Sequence, residues 1–352
     1  MPFPYRLSRA GVIMRPEPGN PLQAEGVLNP AVAVGPDGRP YLYPRLVAAG
    51  NISRIGRARL TVTDGTPTGV EHCDIVLAPD RTWEHGQDHG GVEDPRITYL
   101  NDLGAYVMAY VAFGPLGPHP ALALSRDGTD WTRLGPLQFQ YDDALDADLN
   151  LYPNKDVALF PEPVPGPGGE PCYAILHRPM WEFDFCKPAE PAPLPNGVTD
   201  DRAGIWISYV RPGDVARDPG ALCRPFGHRV LAMPEQPWES LKIGAGAPPI
   251  RVPEGWLLLY HGVAGSIEAG GFSQQQRVRY SAGGMILSGD DPTHVLARST
   301  DPILEPETAE ERDGTVPNVV FPTAACAVGA VTYVFYGMAD SAIGVAALVS
   351  CD

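Results

Sequence analysis

Short runs of aromatic and aliphatic residues recur along this chain at intervals of 65 to 83 residues. Each run has the length and composition of a buried β-strand, and four of the five follow turn-forming residues. The runs occupy residues 40–45, 106–110, 172–177, 256–261 and 332–336. Five such repeats without a linker between them predict an all-β fold, a five-bladed β-propeller that takes up residues 1–352 as a single domain. A β-sandwich or two smaller β domains are the alternatives.

Composition excludes several classes of function. The chain has 352 residues and a formal net charge of -16, which argues against a nucleic-acid partner because phosphate backbones select for Lys and Arg. No apolar run reaches the roughly 18 residues of a membrane span, so no membrane partner is expected. The six cysteines are scattered, which predicts neither a zinc site nor a disulfide framework. Reduced thiols in a cytoplasmic protein are the simplest interpretation.

The segment Gly-Gly-Val-Glu-Asp-Pro-Arg-Ile-Thr at residues 90–98 concentrates reactive groups around a proline. Pro95 is expected to bias Asp94 toward an extended backbone, and the paired glycines permit unusual geometry just before it. An acid held beside Arg96 could donate a proton to a leaving group. Taken alone, the segment is better interpreted as a charged surface turn.

Polar side chains lie at the ends of several predicted strands. They are Arg45, Lys155, Arg178, His261 and Asp340. If the inner strands line a channel, the basic members of this set converge at one mouth and form a cationic pocket suited to phosphate. The alternatives are a loop at Arg178, a surface pair of Lys155 with Asp156, and a buried histidine bonded to backbone at His261.

Eight segments together resemble glycoside hydrolase family 130, the β-mannoside phosphorylases and related mannosidases. They lie at residues 45–56, 91–98, 154–161, 176–179, 242–250, 255–262, 316–322 and 336–340. The resemblance runs from about residue 40 to the C-terminus in the order of the family. It implies a five-bladed β-propeller, in agreement with the repeats.

The resemblance also implies a mechanism. In the phosphorylases of this family, inorganic phosphate attacks the anomeric carbon of a β-mannoside with inversion and releases α-mannose 1-phosphate. Because phosphate is already an anionic nucleophile, only one protein acid is needed. By resemblance that acid is Asp94, which passes its proton to the glycosidic oxygen through a sugar hydroxyl. No cofactor or metal is implied, and inorganic phosphate is the co-substrate.

The remaining site residues are also carried over from the family. The implied phosphate-binding residues are Lys155, Arg178, His261 and Tyr280. The residues implied to hold the mannosyl unit, or to lie beside it, are Arg45, Asn51, Ser53, Arg54 and Asp340. Arg54 is alternatively a member of the phosphate set.

Two segments leave the type of reaction open. The acidic segment at residues 142–148 would repel phosphate or supply a base for water if it folded into the pocket. The proline-rich segment at residues 187–203 is expected to form a surface excursion or lid. An inverting β-mannosidase and a carbohydrate-binding propeller without catalysis are therefore the alternatives to a phosphorylase. The linkage, the acceptor sugar and the oligomeric state stay open, with a homo-oligomer as one alternative.

Overall fold

β-Strands dominate the computed structural model, which describes residues 2–86, 89–181, 194–267 and 275–351. The all-β class predicted from the sequence is confirmed. Two short α-helices occur in the described ranges, α1 (Pro212–Arg217) and α2 (Ala309–Arg312). No described helix combines the length and apolar character needed to cross a membrane.

The strands form five antiparallel units of four. Unit 1 contains β2 (Gly26–Val34), β3 (Pro40–Ala48), β4 (Ile52–Thr63) and β5 (Thr66–Leu77). Unit 2 contains β6 (Gly90–Leu100), β7 (Ala105–Gly114), β8 (Gly117–Ser125) and β9 (Thr132–Pro136). Unit 3 contains β10 (Asn154–Leu159), β12 (Pro171–Pro179), β13 (Ile205–Val210) and β14 (Phe226–Ala232), with the short β11 (Val164–Pro165) beside β12.

Unit 4 contains β15 (Lys242–Ala245), β17 (Gly255–Ser266), β18 (Arg277–Leu287) and β19 (Val295–Arg298), with β16 (Ile250–Val252) beside β17. Unit 5 contains β20 (Val320–Val328), β21 (Val331–Met338) and β22 (Ala342–Ser350). Its fourth strand is β1 (Tyr5–Met14), which pairs antiparallel with β22. The first and last strands of the described chain therefore share one sheet.

Units 1 and 2 are joined by a short parallel contact between β4 and β6. Ser53 lies opposite Gly91, and a Cβ atom on Gly91 would come within 2.3 Å of the Ser53 carbonyl oxygen. Gly91 also has a φ of 115°, which disfavours residues with a side chain. This position therefore requires glycine for two independent reasons, as the paired glycines suggested.

The aromatic runs detected in the sequence form the second strand of every unit. They correspond to β3, β7, β12, β17 and β21. These strands lie between two neighbours in their sheets, and most of their side chains are buried. The strands predicted from these runs are confirmed.

Five large clusters of buried apolar side chains lie between successive units. Units 1 and 2, 2 and 3, 3 and 4, and 4 and 5 each share one cluster, and the fifth cluster joins unit 5 to unit 1. Trp256 of unit 4, for example, meets Phe160 of unit 3 edge to face at 5.2 Å. Full burial of a large apolar side chain contributes about 1.5–3 kcal/mol, so these clusters are the main source of cohesion between units.

Three units share a buried arrangement of Glu, Tyr and Arg, which we call the Glu–Tyr–Arg triads. In each triad a glutamate from a short helical turn accepts hydrogen bonds from a tyrosine on the second strand and an arginine on the fourth. The triads are Glu84 with Tyr110 and Arg133, Glu239 with Tyr260 and Arg298, and Glu311 with Tyr336 and Arg9. Each glutamate also accepts two backbone N–H groups, so its buried charge is fully bonded.

The two segments that left the reaction type open can be located in part. The acidic segment at residues 142–148 is exposed or partly exposed except for the buried Ala147, and its side-chain hydrogen bonds are local, such as Tyr141 Oη to Asp146 Oδ1 at 2.7 Å. Of the proline-rich segment, residues 187–193 lie outside the described residues. Asn196, in the described remainder, donates its backbone N–H to the carbonyl of Leu145 at 2.8 Å.

Candidate active site

Three carboxylate or amide side chains at the starts of first strands lie on β-bulges. Asn29 of β2, Asp94 of β6 and Asp156 of β10 have φ values of 41°, 47° and 57°, and each coincides with a shift in strand register. Asn and Asp tolerate this left-handed conformation better than other residues with side chains. The prediction of an extended backbone at Asp94 is wrong, because the bulge imposes a left-handed geometry despite the following Pro95.

The first cluster of polar side chains surrounds Asp94, and we call it the Asp94 cluster. Asn29 Nδ2 and Arg45 Nη1 both donate to Asp94 Oδ1, at 2.9 and 3.1 Å. Arg45 also donates through Nη2 to Glu93 Oε1 and through Nε to Ser53 Oγ, both at 2.8 Å. Since both bonds to Asp94 reach Oδ1, the Oδ2 atom is available to carry a proton.

Three more predicted residues belong to the Asp94 cluster. Lys155 Nζ lies 3.4 Å from Glu93 Oε2, and Asn51 Oδ1 accepts from Arg45 Nη2 at 3.4 Å. Asp340 lies within the electrostatic reach of Arg45, and burial raises its pKa to about 6 although the Arg45 charge opposes this. The structure thus places Lys155 on the side of the acid, paired with a carboxylate.

Asp94 is buried and charged. It is 8% exposed, and its neighbours Glu93 and Arg96 are 0% and 1% exposed, so the surface-turn alternative is wrong. Burial alone would raise the pKa of Asp94, but the positive charges of Arg45, Arg96 and Lys155 outweigh it and lower the pKa below its usual value.

The second cluster surrounds the Asp156 carboxylate, and we call it the Asp156 cluster. Arg178 Nε donates to Asp156 Oδ2 at 2.5 Å, and His261 Nε2 lies 3.7 Å from the same oxygen. Asp156 is 3% exposed, so the proposed surface pair with Lys155 is wrong. Burial would raise the pKa of Asp156, but the positive charges of Arg178 and Arg96 lower it strongly and keep the carboxylate ionised.

Arg96 connects the two clusters. Its Nη1 donates to the backbone oxygen of Asp94 at 2.7 Å, and its Nη2 lies 3.9 Å from Asp156 Oδ1. Its Nε donates to the backbone oxygen of Gly246, just after β15, at 3.0 Å. The buried guanidinium of Arg96 therefore holds the backbone of Asp94 in place relative to β10 and β15.

His261 does not supply the positive charge expected of it. It is 1% exposed, and burial lowers its pKa to about 3 although the Asp156 carboxylate opposes this, so the imidazole is neutral at physiological pH. Its ring stacks on Tyr280 with centroids 5.8 Å apart and meets the edge of Phe321 at 4.4 Å. The Tyr280 hydroxyl donates to Gln275 Oε1 at 3.0 Å.

Lys242 is a member of the site that sequence reasoning did not assign. Its Nζ lies 5.5 Å from the centre of the Tyr280 ring, and burial together with the Arg178 charge lowers its pKa to about 7. The strand it begins approaches Asp156 closely, since a Cβ atom on Gly244 would lie 2.1 Å from Asp156 Oδ2. The only sequence signal was its position at the start of segment 242–250.

Arg54 is not brought into either cluster. Among the described residues its hydrogen bond is from Nη1 to the backbone oxygen of Ile52 at 3.5 Å, and it is only partly buried. Ser53 and Arg54 are adjacent on β4, so their side chains point to opposite faces of the strand. Ser53 takes the face that contacts Arg45.

Three buried nitrogens of the Asp156 cluster lack a hydrogen-bond partner within the described part of the chain. They are Arg96 Nη2, Arg178 Nη1 and His261 Nδ1. Buried polar atoms without partners are costly, and such atoms in native proteins indicate a ligand, an ion or water. The cluster therefore has the hydrogen-bonding capacity to hold a small anion next to the acid.

Comparison with known proteins identifies the class and then the family. The matched proteins are carbohydrate-active enzymes. The model of glycoside hydrolase family 130, described as beta-1,4-mannooligosaccharide phosphorylase, matches residues 221–350. A 1,2-beta-oligomannan phosphorylase of Thermoanaerobacter sp. (strain X514) is 32% identical over 76% of this chain and 72% of its own length. The chain belongs to glycoside hydrolase family 130.

Two further similarities agree with this assignment. A beta-1,2-mannobiose phosphorylase of the same strain is 34% identical over 74% of this chain and 68% of its own length. The solved structure of the beta-1,2-mannobiose phosphorylase from Listeria innocua, bound to beta-1,2-mannobiose, superimposes with a TM-score of 0.69 and covers 97% of this chain and 96% of that one. At 23% identity, that similarity concerns the fold.

Proposed function

We propose that this chain is an inverting β-mannoside phosphorylase, which transfers a mannosyl unit from a β-mannoside to inorganic phosphate. The observation that carries the proposal is the buried acid Asp94 next to a basic cluster whose three buried nitrogens have no partner among the described residues. An inverting hydrolase uses a second carboxylate to activate water. Here Glu93 and Asp156 are each bound to cations, which disfavours that role.

The reaction proceeds by one displacement. A phosphate oxygen attacks the anomeric carbon, the bond from that carbon to the glycosidic oxygen breaks, and a proton originating on Asp94 reaches the leaving oxygen through a sugar hydroxyl. Inversion of a β-linkage gives α-mannose 1-phosphate and a shortened sugar. Asp94 is charged before phosphate arrives, and the negative charge of bound phosphate raises its pKa toward the working pH.

The two clusters divide the binding residues. Phosphate is held by Arg178, His261 and Tyr280, with Lys242 as an additional member. Lys155, in the Asp94 cluster, also acts through its charge on Lys242. The mannosyl unit is held on the side of Asp94. Its contacts come from Asn51 and Asp340, with Arg45 and Ser53 behind them.

The proposed scaffold is a single five-bladed β-propeller. Its support is the five antiparallel units, the apolar clusters between successive units, and the pairing of β1 with β22, which completes unit 5. A propeller built in this way brings the bulged starts of the first strands together around one channel mouth. The propeller arrangement also accounts for the proximity of Asp94 and Asp156, which lie on the first strands of two successive units.

The test is incubation of the purified protein with β-1,2- and β-1,4-mannobiose, with and without inorganic phosphate, followed by product analysis. We expect turnover to require phosphate and to yield α-mannose 1-phosphate. Arg178→Ala should raise the KM for phosphate by about tenfold to a few hundredfold, because a charged hydrogen bond contributes about 1.5–3 kcal/mol. Free mannose released at the same rate without phosphate would instead identify a β-mannosidase.

A further inference from the structure

The Asp156 cluster contains both hydrogen-bond donors and one acceptor. Arg178 Nη1 and Arg96 Nη2 are permanent donors, because a guanidinium stays protonated in proteins. The third unpartnered atom, His261 Nδ1, belongs to a neutral imidazole, in which one nitrogen donates and the other accepts. Which nitrogen accepts decides what the cluster can bind.

The surroundings of His261 fix its tautomer. Its Nε2 faces the ionised Asp156 carboxylate at 3.7 Å, and a proton on that nitrogen is attracted to the carboxylate, whereas a lone pair would be repelled. The proton therefore resides on Nε2, and Nδ1 presents a lone pair. The ring cannot easily turn over, because Tyr280 stacks on it and Phe321 makes an edge-to-face contact with it.

We propose that His261 Nδ1 accepts the hydroxyl of hydrogen phosphate, so that the site selects an oxyanion carrying one P–OH group over isosteric dianions without one. The inference rests on the proposed phosphate site. The unprotonated oxygens of hydrogen phosphate match the two guanidinium donors, and its single hydroxyl matches the lone pair. Sulfate and monofluorophosphate carry the same charge in mildly alkaline buffer but have no proton to donate.

This contact also orients the nucleophile. With its hydroxyl held by His261, hydrogen phosphate turns an unprotonated oxygen toward the anomeric carbon. The P–OH proton stays on phosphate during the displacement, and the sugar phosphate leaves as its monoanion. His261 thus acts as a specificity-determining residue, through an acceptor contact and without positive charge.

The experiment is direct calorimetric titration of the intact protein with phosphate, sulfate and monofluorophosphate in mildly alkaline buffer. We expect phosphate to bind about tenfold to a hundredfold more tightly than the other two anions. Sulfate and monofluorophosphate leave the buried acceptor His261 Nδ1 unpaired, and the resulting desolvation penalty corresponds to about this ratio of affinities. Equal affinities for the three anions in the wild-type protein, or no phosphate binding, would overturn the inference.

Variants separate this role from simple packing. His261→Phe should weaken phosphate binding by about tenfold or more and leave the two hydroxyl-free anions within about threefold, so that the selectivity collapses. His261→Gln, which has a side-chain carbonyl, should keep part of it. An equal loss for all three anions in His261→Phe would show a structural role only.

The anion-binding measurements and the turnover measurements test the two proposals separately. Selective phosphate binding without phosphorolysis would contradict the proposed function and support the anion site. Phosphate-dependent phosphorolysis without selectivity in the wild-type protein would support the function and contradict the role of His261.

Discussion

Burial, more than residue type, sets the charges of the side chains in this site. His261 is neutral and Lys242 titrates near neutral pH because both are removed from water. Asp94 and Asp156 stay ionised because each contacts an arginine. The positive charge available to an anion therefore comes mainly from Arg178 and Arg96, with Lys242 gaining its proton when an anion arrives.

The role of Asp94 as the proton donor is tested by Asp94→Asn. The amide keeps the size of the side chain and tolerates the left-handed backbone, but it carries no transferable proton. We expect kcat on an unactivated mannoside to fall by about 10²–10⁴-fold with the fold intact. Thermal unfolding of the variant provides the control for structure, and near-normal turnover would exclude Asp94 as the donor.

Asp340 should destabilise the protein above its own pKa. Burial raises the folded-state pKa to about 6 from an ordinary value of 3.8, so the favourable contribution of Asp340 to stability is complete below the unfolded-state pKa and is lost as pH rises through 6. Asp340→Asn should therefore raise the free energy of unfolding by about 1–2 kcal/mol in alkaline buffer and by less in acid.

Urea unfolding at the two pH values measures this difference. The exposed Asp143 offers a matched control, since Asp143→Asn should change stability little at either pH. A loss of stability in Asp340→Asn that is greater in alkaline than in acidic buffer would contradict the sign of the effect.

For single residues, the sequence predicted which side chains belong to the site better than it predicted their burial and contacts. Arg178 and His261 stood out because they lie at the ends of recognisable strands, and Asp94 because its segment concentrates charged groups around a proline. Asp156 looked like half of a surface pair, since nothing local distinguishes a buried carboxylate from an exposed one. Lys242 and Arg96 act through contacts with residues from distant parts of the chain, which a reading of neighbouring residues does not reveal.

The Glu–Tyr–Arg triads couple strands that are not adjacent in their sheets. In the third triad, Arg9 of β1 donates to both oxygens of Glu311 at 2.9 Å, and Glu311 is 0% exposed. Tyr336 of β21 donates to the same carboxylate at 3.0 Å. The triad therefore holds β1 in place through side chains as well as through its pairing with β22.

Arg9→Met should be destabilising because it leaves the buried Glu311 without its cation. We expect a loss of about 1–3 kcal/mol in the free energy of unfolding, below the range for fully buried pairs because Arg9 is partly exposed. Arg15→Met is the matched control, since Arg15 forms an exposed pair with Glu310 and its loss should cost about 0–1 kcal/mol. Equal effects of the two substitutions in urea unfolding would contradict the role of the triad.

Elements differed in how far sequence could predict them. The second strands were evident because continuous apolar runs are the signature of strands buried on both faces. The first strands were less so, because bulges at Asn29, Asp94 and Asp156 interrupt their pattern with polar residues. The same bulges place the side chains of Asn29, Asp94 and Asp156 in the two polar clusters of the site.

For the whole molecule, cohesion comes from the apolar clusters between successive units. Because each unit shares one cluster with the next, and unit 5 shares one with unit 1, no unit depends on its own sheet alone for burial. The spacing of the aromatic runs was enough to predict five repeats. The pairing of β1 with β22 was not predictable, since the two strands are separated by nearly the entire sequence.

That pairing has a consequence for biosynthesis. A ribosome releases β1 before the other described strands and β22 after them, so β1 stays without its partner while the strands between them are synthesised. Contacts between residues this far apart form slowly, because the chain loses the entropy of closing a large loop before the contacts contribute favourable free energy. Among the apolar side chains of β1, Leu7 waits longest for its partners during translation, because it packs in the cluster between units 4 and 5.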